Sequence, residues 1–305
     1  MPSMNRIPRE ELEKLANFEL LARQVVEGFI TGLHKSPFHG FSVEFAEHRT
    51  YNKGESTKHI DWKLFARTEK LFIKRFEEET NLRCQIVLDT SSSMYYPEQG
   101  WNKFKFSAMA AGALMNLLKR QRDAFSLAFL SDKIEYHSET RSASSHYHQM
   151  IMQLENRLQE APLLRETKLS QSLDVLAEKI HRRSMVVIFS DLMETSEETE
   201  KLFRSLQHLK FNKHEVILFH VQDKEKESDF HFQNRPYLFT DPETGSQLKI
   251  MPNQVRDAYL TAQQDYKKVL RDKAAQFKID WIEVDSADDF NQVLLSFLIK
   301  RAKMN

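Results

Sequence analysis

Residues 85–94, QIVLDTSSSM, open with a short apolar run, Ile86, Val87 and Leu88, that stops abruptly at Asp89. A run of that length without polar alternation is the pattern of a strand buried on both faces, as in a parallel sheet. Serines follow at once. Asp89, Ser91 and Ser93 stand at i, i+2 and i+4 with only small residues between them. A tight loop after a strand can turn one carboxylate and two hydroxyls of that spacing towards a common point. Such oxygen donors suit a hard cation such as Mg²⁺, which takes six oxygen ligands and keeps several waters. The blander reading is a turn whose Ser and Asp only cap the next helix, and the motif alone does not choose between the two.

A second stretch bears on that choice. Residues 184–191, SMVVIFSD, repeat the pattern of an apolar run ending in a carboxylate, here Asp191. Between the two runs, Thr167 lies in RETKLSQSL, where a loop enters a helix. An open parallel sheet takes its ligands outside the carboxyl ends of its strands, where chain direction reverses. Asp89, Ser91, Ser93, Thr167 and Asp191 are expected to meet there as a divalent-cation site.

This set resembles the metal-ion-dependent adhesion site of von Willebrand factor type A (vWA) domains, over most of residues 82–302. The resemblance implies Mg²⁺ (or Mn²⁺) on these residues. It also implies a Rossmann-like α/β fold, with a mainly parallel central sheet and helices on both faces. One departure precedes the threonine, where Arg165 and Glu166 stand in place of the family's usual glycine.

Bulk properties exclude several classes. The chain has 305 residues, enough for one large or two ordinary domains. Lys+Arg and Asp+Glu are 44 each, so no global field favours nucleic acid or an anionic membrane. The single cysteine, Cys84, excludes an internal disulfide and suits a reducing compartment. Apolar runs such as Met185 to Phe189 are far shorter than the roughly 20 residues of a membrane span. The acidic N-terminus lacks the apolar core of a secretory signal, and a cytoplasmic location is expected.

Along the chain, Leu12, Leu15, Phe18, Leu21, Val25 and Phe29 recur at helical spacing and predict an amphipathic helix over residues 9–33. Phe41, Val43 and Phe45 alternate as a strand does, and Asp61 is placed to cap a short helix through Ala66. Residues 70–79 fit either a strand or a helix, and the strand is favoured because the segment feeds the buried run at Ile86. A helix is expected over 102–120, then a strand pair over 124–130 and 133–137. His146 and His148 read as part of a solvated loop over residues 140–148, ahead of helices predicted over 147–160 and 170–181, and residues 223–229 as a second loop. Asp241-Pro242-Glu243-Thr244-Gly245 is a strong turn signal inside a hairpin inserted at about residues 230–252. A long helix over 253–277 and a last strand-helix pair complete the alternation. The predicted organisation is a helix and charged segment over residues 1–82, followed by a vWA-like domain over 83–302.

The charged segment carries a second resemblance. Arg49, Tyr51, Gly54 and Glu55 are followed by Ile60, Asp61, Trp62, Lys63, Ala66, Arg67 and Thr68, and then by Arg75, Phe76 and Glu77. This closely resembles the signature of a bacterial family called domain of unknown function 58, which joins such a segment to a vWA-like domain. Glu55 and Lys58 stand where that family more often has Asp and Arg. The resemblance implies a MoxR-type AAA+ ATPase as partner, in assembly or maturation of other proteins.

The residues leave two functions open. In a Mg²⁺-dependent phosphohydrolase, Asp89 would be the nucleophile. However, Ser91 occupies the place where such enzymes carry a second aspartate. No G-x-S-x-G or G-x-x-x-x-G-K-[ST] motif is present either. In a binding module, the cation would accept a carboxylate from an acidic residue of a protein partner. The second reading uses the hydroxyls as well as the carboxylates.

Overall fold

In the computed structural model, which describes residues 18–34, 48–50, 62–68, 72–74 and 82–304 without 99, 161–168 and 194, the apolar stripe of the first helix is an inner face. That helix, α1 (Phe18–His34), buries Phe18, Leu21, Ala22, Val26 and Phe29. The predicted strand at Phe41 to Phe45 lies outside the described residues, as do Leu12 and Leu15. β1 (His48–Thr50) and β2 (Phe72–Lys74) pair antiparallel as a separate two-stranded sheet. Between them runs α2 (Trp62–Thr68), as the cap at Asp61 predicts. The side chain of Trp62 is outside the described residues.

β3 (Arg83–Asp89) is the QIVLD run, and from Cys84 onward it is buried. A 3₁₀ turn (Ser92–Tyr95) leads to α3 (Lys103–Arg120), whose N-cap Asn102 accepts from the Lys105 amide at 2.9 Å. Then come β4 (Ala124–Leu130), β5 (Ile134–His137), α4 (Ser144–Gln159), α5 (Leu169–Lys179) and β6 (Met185–Ser190). α6 (Ser196–Phe211), β7 (Glu215–Gln222) and the hairpin of β8 (Tyr237–Thr240) and β9 (Gln247–Ile250) follow. α7 (Pro252–Gln276), β10 (Asp280–Asp285) and α8 (Asn291–Met304) end the described chain.

The six-stranded sheet has the order β10-β7-β6-β3-β4-β5. Every neighbouring pair in it is parallel except β4 and β5. The chain moves outward from β3 to β4 and β5, then returns to β3's other side with β6. That reversal, between β3 and β6, is the switch point where a doubly wound sheet opens a crevice. Helices cover both faces. α1, α3, α4 and α8 close one face through Phe18, Phe106, Tyr147 and Phe297. α5, α6 and α7 close the other through Leu173, Leu206 and Leu270. This is the mainly parallel α/β architecture the sequence predicts.

The small residues of α3 explain how two helical layers fit over β3. Ala108, Ala110, Ala111 and Ala113 are buried, and a Cβ on Gly112 would lie 2.8 Å from Cε1 of Phe18. α1 therefore packs directly on α3. Among the described residues no helix is long and apolar enough to cross a membrane.

Two local expectations are corrected. His146 and His148 lie in the first turns of α4, not in a loop. Tyr147, Met150, Ile151 and Leu154 form a buried stripe that draws the preceding turn into the helix. His146 turns inward and donates to the Phe125 carbonyl at 3.1 Å, whereas His148 faces Glu19 at 3.0 Å. Residues two apart on a helix point in different directions, so the pair is no chelate. Residues 223–229 are the second correction. Lys224–Ser228 form a single π-type turn, and one of its charges, Glu227, points inward.

Candidate functional site

β3 delivers Asp89 to the carboxyl edge of the sheet at the switch point, and β6 delivers Ser190 and Asp191 beside it. Leu88 is in register with Phe189, so the next residues, Asp89 and Ser190, are neighbours across the ladder. Ser190 Oγ donates to Oδ2 of Asp89 at 2.6 Å. The Ser91 amide donates to Oδ1 at 2.9 Å, and its hydroxyl also bonds Asp89. Ser91 and Ser93 hydroxyls lie 3.1 Å apart. Asp89, Ser91 and Ser93 thus form one continuous line of oxygens, as their i, i+2, i+4 spacing predicts. Asp191 is close enough for its charge to act on Asp89. Thr167 lies outside the described residues.

The loop is fixed by residues that carry no site chemistry. Thr90 donates through its amide (2.8 Å) and hydroxyl (3.0 Å) to the Leu130 carbonyl, and its hydroxyl lies 2.9 Å from Oε1 of Glu135. On the β6 side, Leu192 holds a φ of +51°, a conformation that a non-glycine residue keeps only under constraint. The constraint is visible. The Leu192 amide donates to Ser190 Oγ at 3.0 Å, and Tyr266 Oη donates to the Leu192 carbonyl at 2.6 Å. His220 Nε2 donates to the Asp191 carbonyl at 3.0 Å. Burial pushes that imidazole down to about 4, so it is neutral at pH 7 and serves as a fixed donor.

Electrostatically the two carboxylates differ. Asp191 pairs with Lys103, whose Nζ is 2.7 Å from Oδ2. The same ammonium lies 2.5 Å from Oε1 of Glu227. Burial opposes the lysine's charge, but the Asp191 and Glu227 carboxylates outweigh it and raise its pKa above the ordinary lysine range. Asp89 is fully buried and, among the described residues, pairs with no cation. Burial and then the charge of Asp191 push its carboxyl up to about 7, against the donors of Ser190 and Ser91. A carboxyl in that condition holds a proton or takes a cation in its place. The surrounding donors are all oxygens, the set a hard divalent cation accepts.

Ser190, Lys103 and Glu227 are missed by sequence reasoning. Lys103 does leave a signal. It is the first residue of α3, where the positive end of the helix disfavours a cation, so a lysine there requires acidic partners. Nothing local marks Glu227, which is 124 residues away from its partner.

The rim of the crevice is apolar. Tyr96 is 39% exposed and Met193 50% exposed, one in each of the loops that follow β3 and β6. Met193 Sδ lies 4.0 Å from Lys103 Nζ, so it stands directly over the charged cluster.

The chain is similar to several known proteins. Uncharacterized proteins of Mycobacterium tuberculosis and Mycobacterium bovis are 25% identical over 179 residues, covering 59% of this chain and 56% of theirs. The chain therefore spans about half the length of the curated relatives it matches. Among solved structures, an aerotolerance-related membrane protein from Bacteroides fragilis aligns with a TM-score of 0.49 and 14% identity, over 72% of this chain and 99% of that one. BatB from Bacteroides thetaiotaomicron aligns at 0.46 and 11%, over 73% and 100%. The SpRpn10 VWA domain aligns at 0.40 and 11%, over 73% and 96%. Residues 47–269, which run from the charged segment through the whole crevice, match the family described as "Protein of unknown function DUF58", and the chain belongs to that family.

Proposed function

We propose that the crevice between β3 and β6 is a divalent-cation-dependent docking site for an acidic side chain of a protein partner. The observation that carries this reading is Asp89. A buried carboxyl without a cationic partner among the described residues, pushed up to about 7 and aligned with two hydroxyls, is poised to exchange a proton for a metal ion. Asp89, Ser91, Ser93, Thr167 and Asp191 would hold Mg²⁺ (or Mn²⁺), which supplies an electrophilic position for a carboxylate from outside. The chain's own residues do the rest. Ser190 and the Ser91 amide orient Asp89, Thr90 anchors the loop, and His220 fixes the backbone of Asp191. Tyr96 and Met193 offer the partner an apolar rim of the residue types enriched in interfaces.

The partner we assign is a MoxR-type AAA+ ATPase, with the module acting in assembly or maturation of other proteins. Support for this step is the family resemblance of residues 49–77 alone. The test is capture of a purified MoxR-type ATPase on the immobilised chain, in Mg²⁺ and in excess EDTA. Capture is expected in Mg²⁺ and lost both in EDTA and with Asp89→Ala. Met193→Ala should weaken capture without changing Mg²⁺ binding, because the side chain is half exposed and brings neither a charge nor an oxygen to the site. Equal capture in EDTA would remove the metal from the reading, and no capture at all would remove the ATPase. A Mg²⁺-dependent phosphoesterase rate abolished by Asp89→Asn would replace docking with catalysis.

A further inference from the structure

Among the described residues, the cationic group that reaches this cluster is Lys103, through Asp191. Its side chain is wholly buried, with the ammonium between Asp191 and Glu227 at 2.7 and 2.5 Å. We infer that Lys103 sets the site's affinity for divalent cations, its ammonium acting as a tethered counter-ion with which an incoming cation must share Asp191. The inference rests on the cation-site reading above.

Charge placement supports it. Of the carboxylates that interact here, Asp191 and Glu227 share the one positive charge of Lys103, and Asp89 has no cation among the described residues. A divalent ion held by Asp89 and Asp191 would stand close to the ammonium, in surroundings where water screens little, and would be repelled by it. Removing that ammonium therefore tightens cation binding. The position of Lys103 is also not one that helix formation selects, because the dipole of α3 opposes a cation at its first residue. The carboxylates hold it there. Glu227 is itself fixed: its Oε2 accepts from the Asp223 amide at 2.9 Å, and Tyr259 Oη donates to its carbonyl at 2.8 Å. It draws the ammonium partly away from Asp191. Neutralising Glu227 leaves Asp191 alone to hold the lysine and should weaken cation binding.

The experiment is Mn²⁺ titration of the full chain, with free Mn²⁺ counted by electron paramagnetic resonance. Lys103→Met is expected to bind Mn²⁺ roughly tenfold or more tightly than the wild type. Glu227→Gln should bind it more weakly, and the double variant should fall between the wild type and Lys103→Met. Equal or weaker binding by Lys103→Met, with Asp89→Ala still abolishing binding, overturns the role of Lys103 and leaves the cation site standing. Mn²⁺ bound by none of these chains, or bound undiminished by Asp89→Ala, overturns the cation site and this inference together. If Lys103→Met fails to fold, Glu227→Gln decides alone, since it keeps the buried ammonium paired with Asp191. An unchanged Mn²⁺ affinity in that variant overturns the inference.

Discussion

Asp89→Asn should make the metal-free protein more stable at pH 8, by about 3 kcal/mol. Folding raises the Asp89 carboxyl from 3.8 to about 7. At about 1.4 kcal/mol for each tenfold change in proton affinity, the buried charge costs about 4 kcal/mol at a pH above both values. Asparagine keeps one oxygen for the Ser91 amide but turns an NH₂ towards Ser190 Oγ, which already accepts from Leu192. Losing that hydrogen bond, counted against the protonated carboxyl, takes back about 1 kcal/mol. The direction with pH follows from which state holds the proton. Between about pH 4 and 7 the native state carries a proton on Asp89 that the unfolded chain has released. The group's contribution is therefore fully present below about pH 4 and is lost as pH rises through 7. Urea unfolding in EDTA should show the variant ahead at pH 8 and the two chains converging towards pH 4. Mg²⁺ should stabilise the wild type and not the variant. A variant less stable than the wild type at pH 8 would mean that the charge of Asp89 is already compensated.

Phe18→Ala should lower global stability by about 3–5 kcal/mol, the usual cost of emptying a buried aromatic site. Phe18 is fully buried, and its ring edge sits where a side chain on Gly112 would be. The loss should appear as one cooperative transition, because α1 fills the same core as β3, α3 and α8. The pair should also be non-additive. Gly112→Ala alone forces its new methyl against the ring, at a spacing of 2.8 Å that demands a shift. In the Phe18→Ala background that crowding is absent, and the same methyl refills part of the cavity. The double variant is expected to be more stable than the sum of the two single effects. A helix α1 that melts separately, well below the rest, would show that Phe18 contributes to its own segment only.

What can be read before folding follows from where each signal originates. β3 and β6 are legible because parallel strands buried on both faces cannot hide their composition: Ile86 to Leu88 and Met185 to Phe189 have no polar face to offer. The i, i+2, i+4 spacing of Asp89, Ser91 and Ser93 is legible for a similar reason, since the loop's geometry is local. Lys103 and Glu227 are different. Both are residue types that are almost always solvated, and their burial is decided by each other across 124 residues. Local composition around Glu227, KEKES, argues for a solvated loop, and tertiary pairing overrides it. His146 reads as loop because the apolar stripe that makes its turn helical lies downstream of it. Ser190 is hidden beside the more conspicuous Asp191, although the alignment of β3 with β6 makes it the direct neighbour of Asp89.

The order of strands in the sheet also has a kinetic side. β3 pairs first, in sequence terms, with β4, across a connection of modest length. Its other edge waits for β6, and the Ser190–Asp89 hydrogen bond that closes the crevice joins residues 101 apart. Closing so long a loop must precede the contacts that reward it, so this half of the sheet belongs to the slow part of folding. Until β6 arrives, the nascent chain presents an unpaired, largely apolar central strand whose last residue is Asp89. Such an edge invites pairing with another copy. Synthesis that pauses between β4 and β6 would thus expose, at one spot, both an unpaired apolar strand edge and half of the crevice.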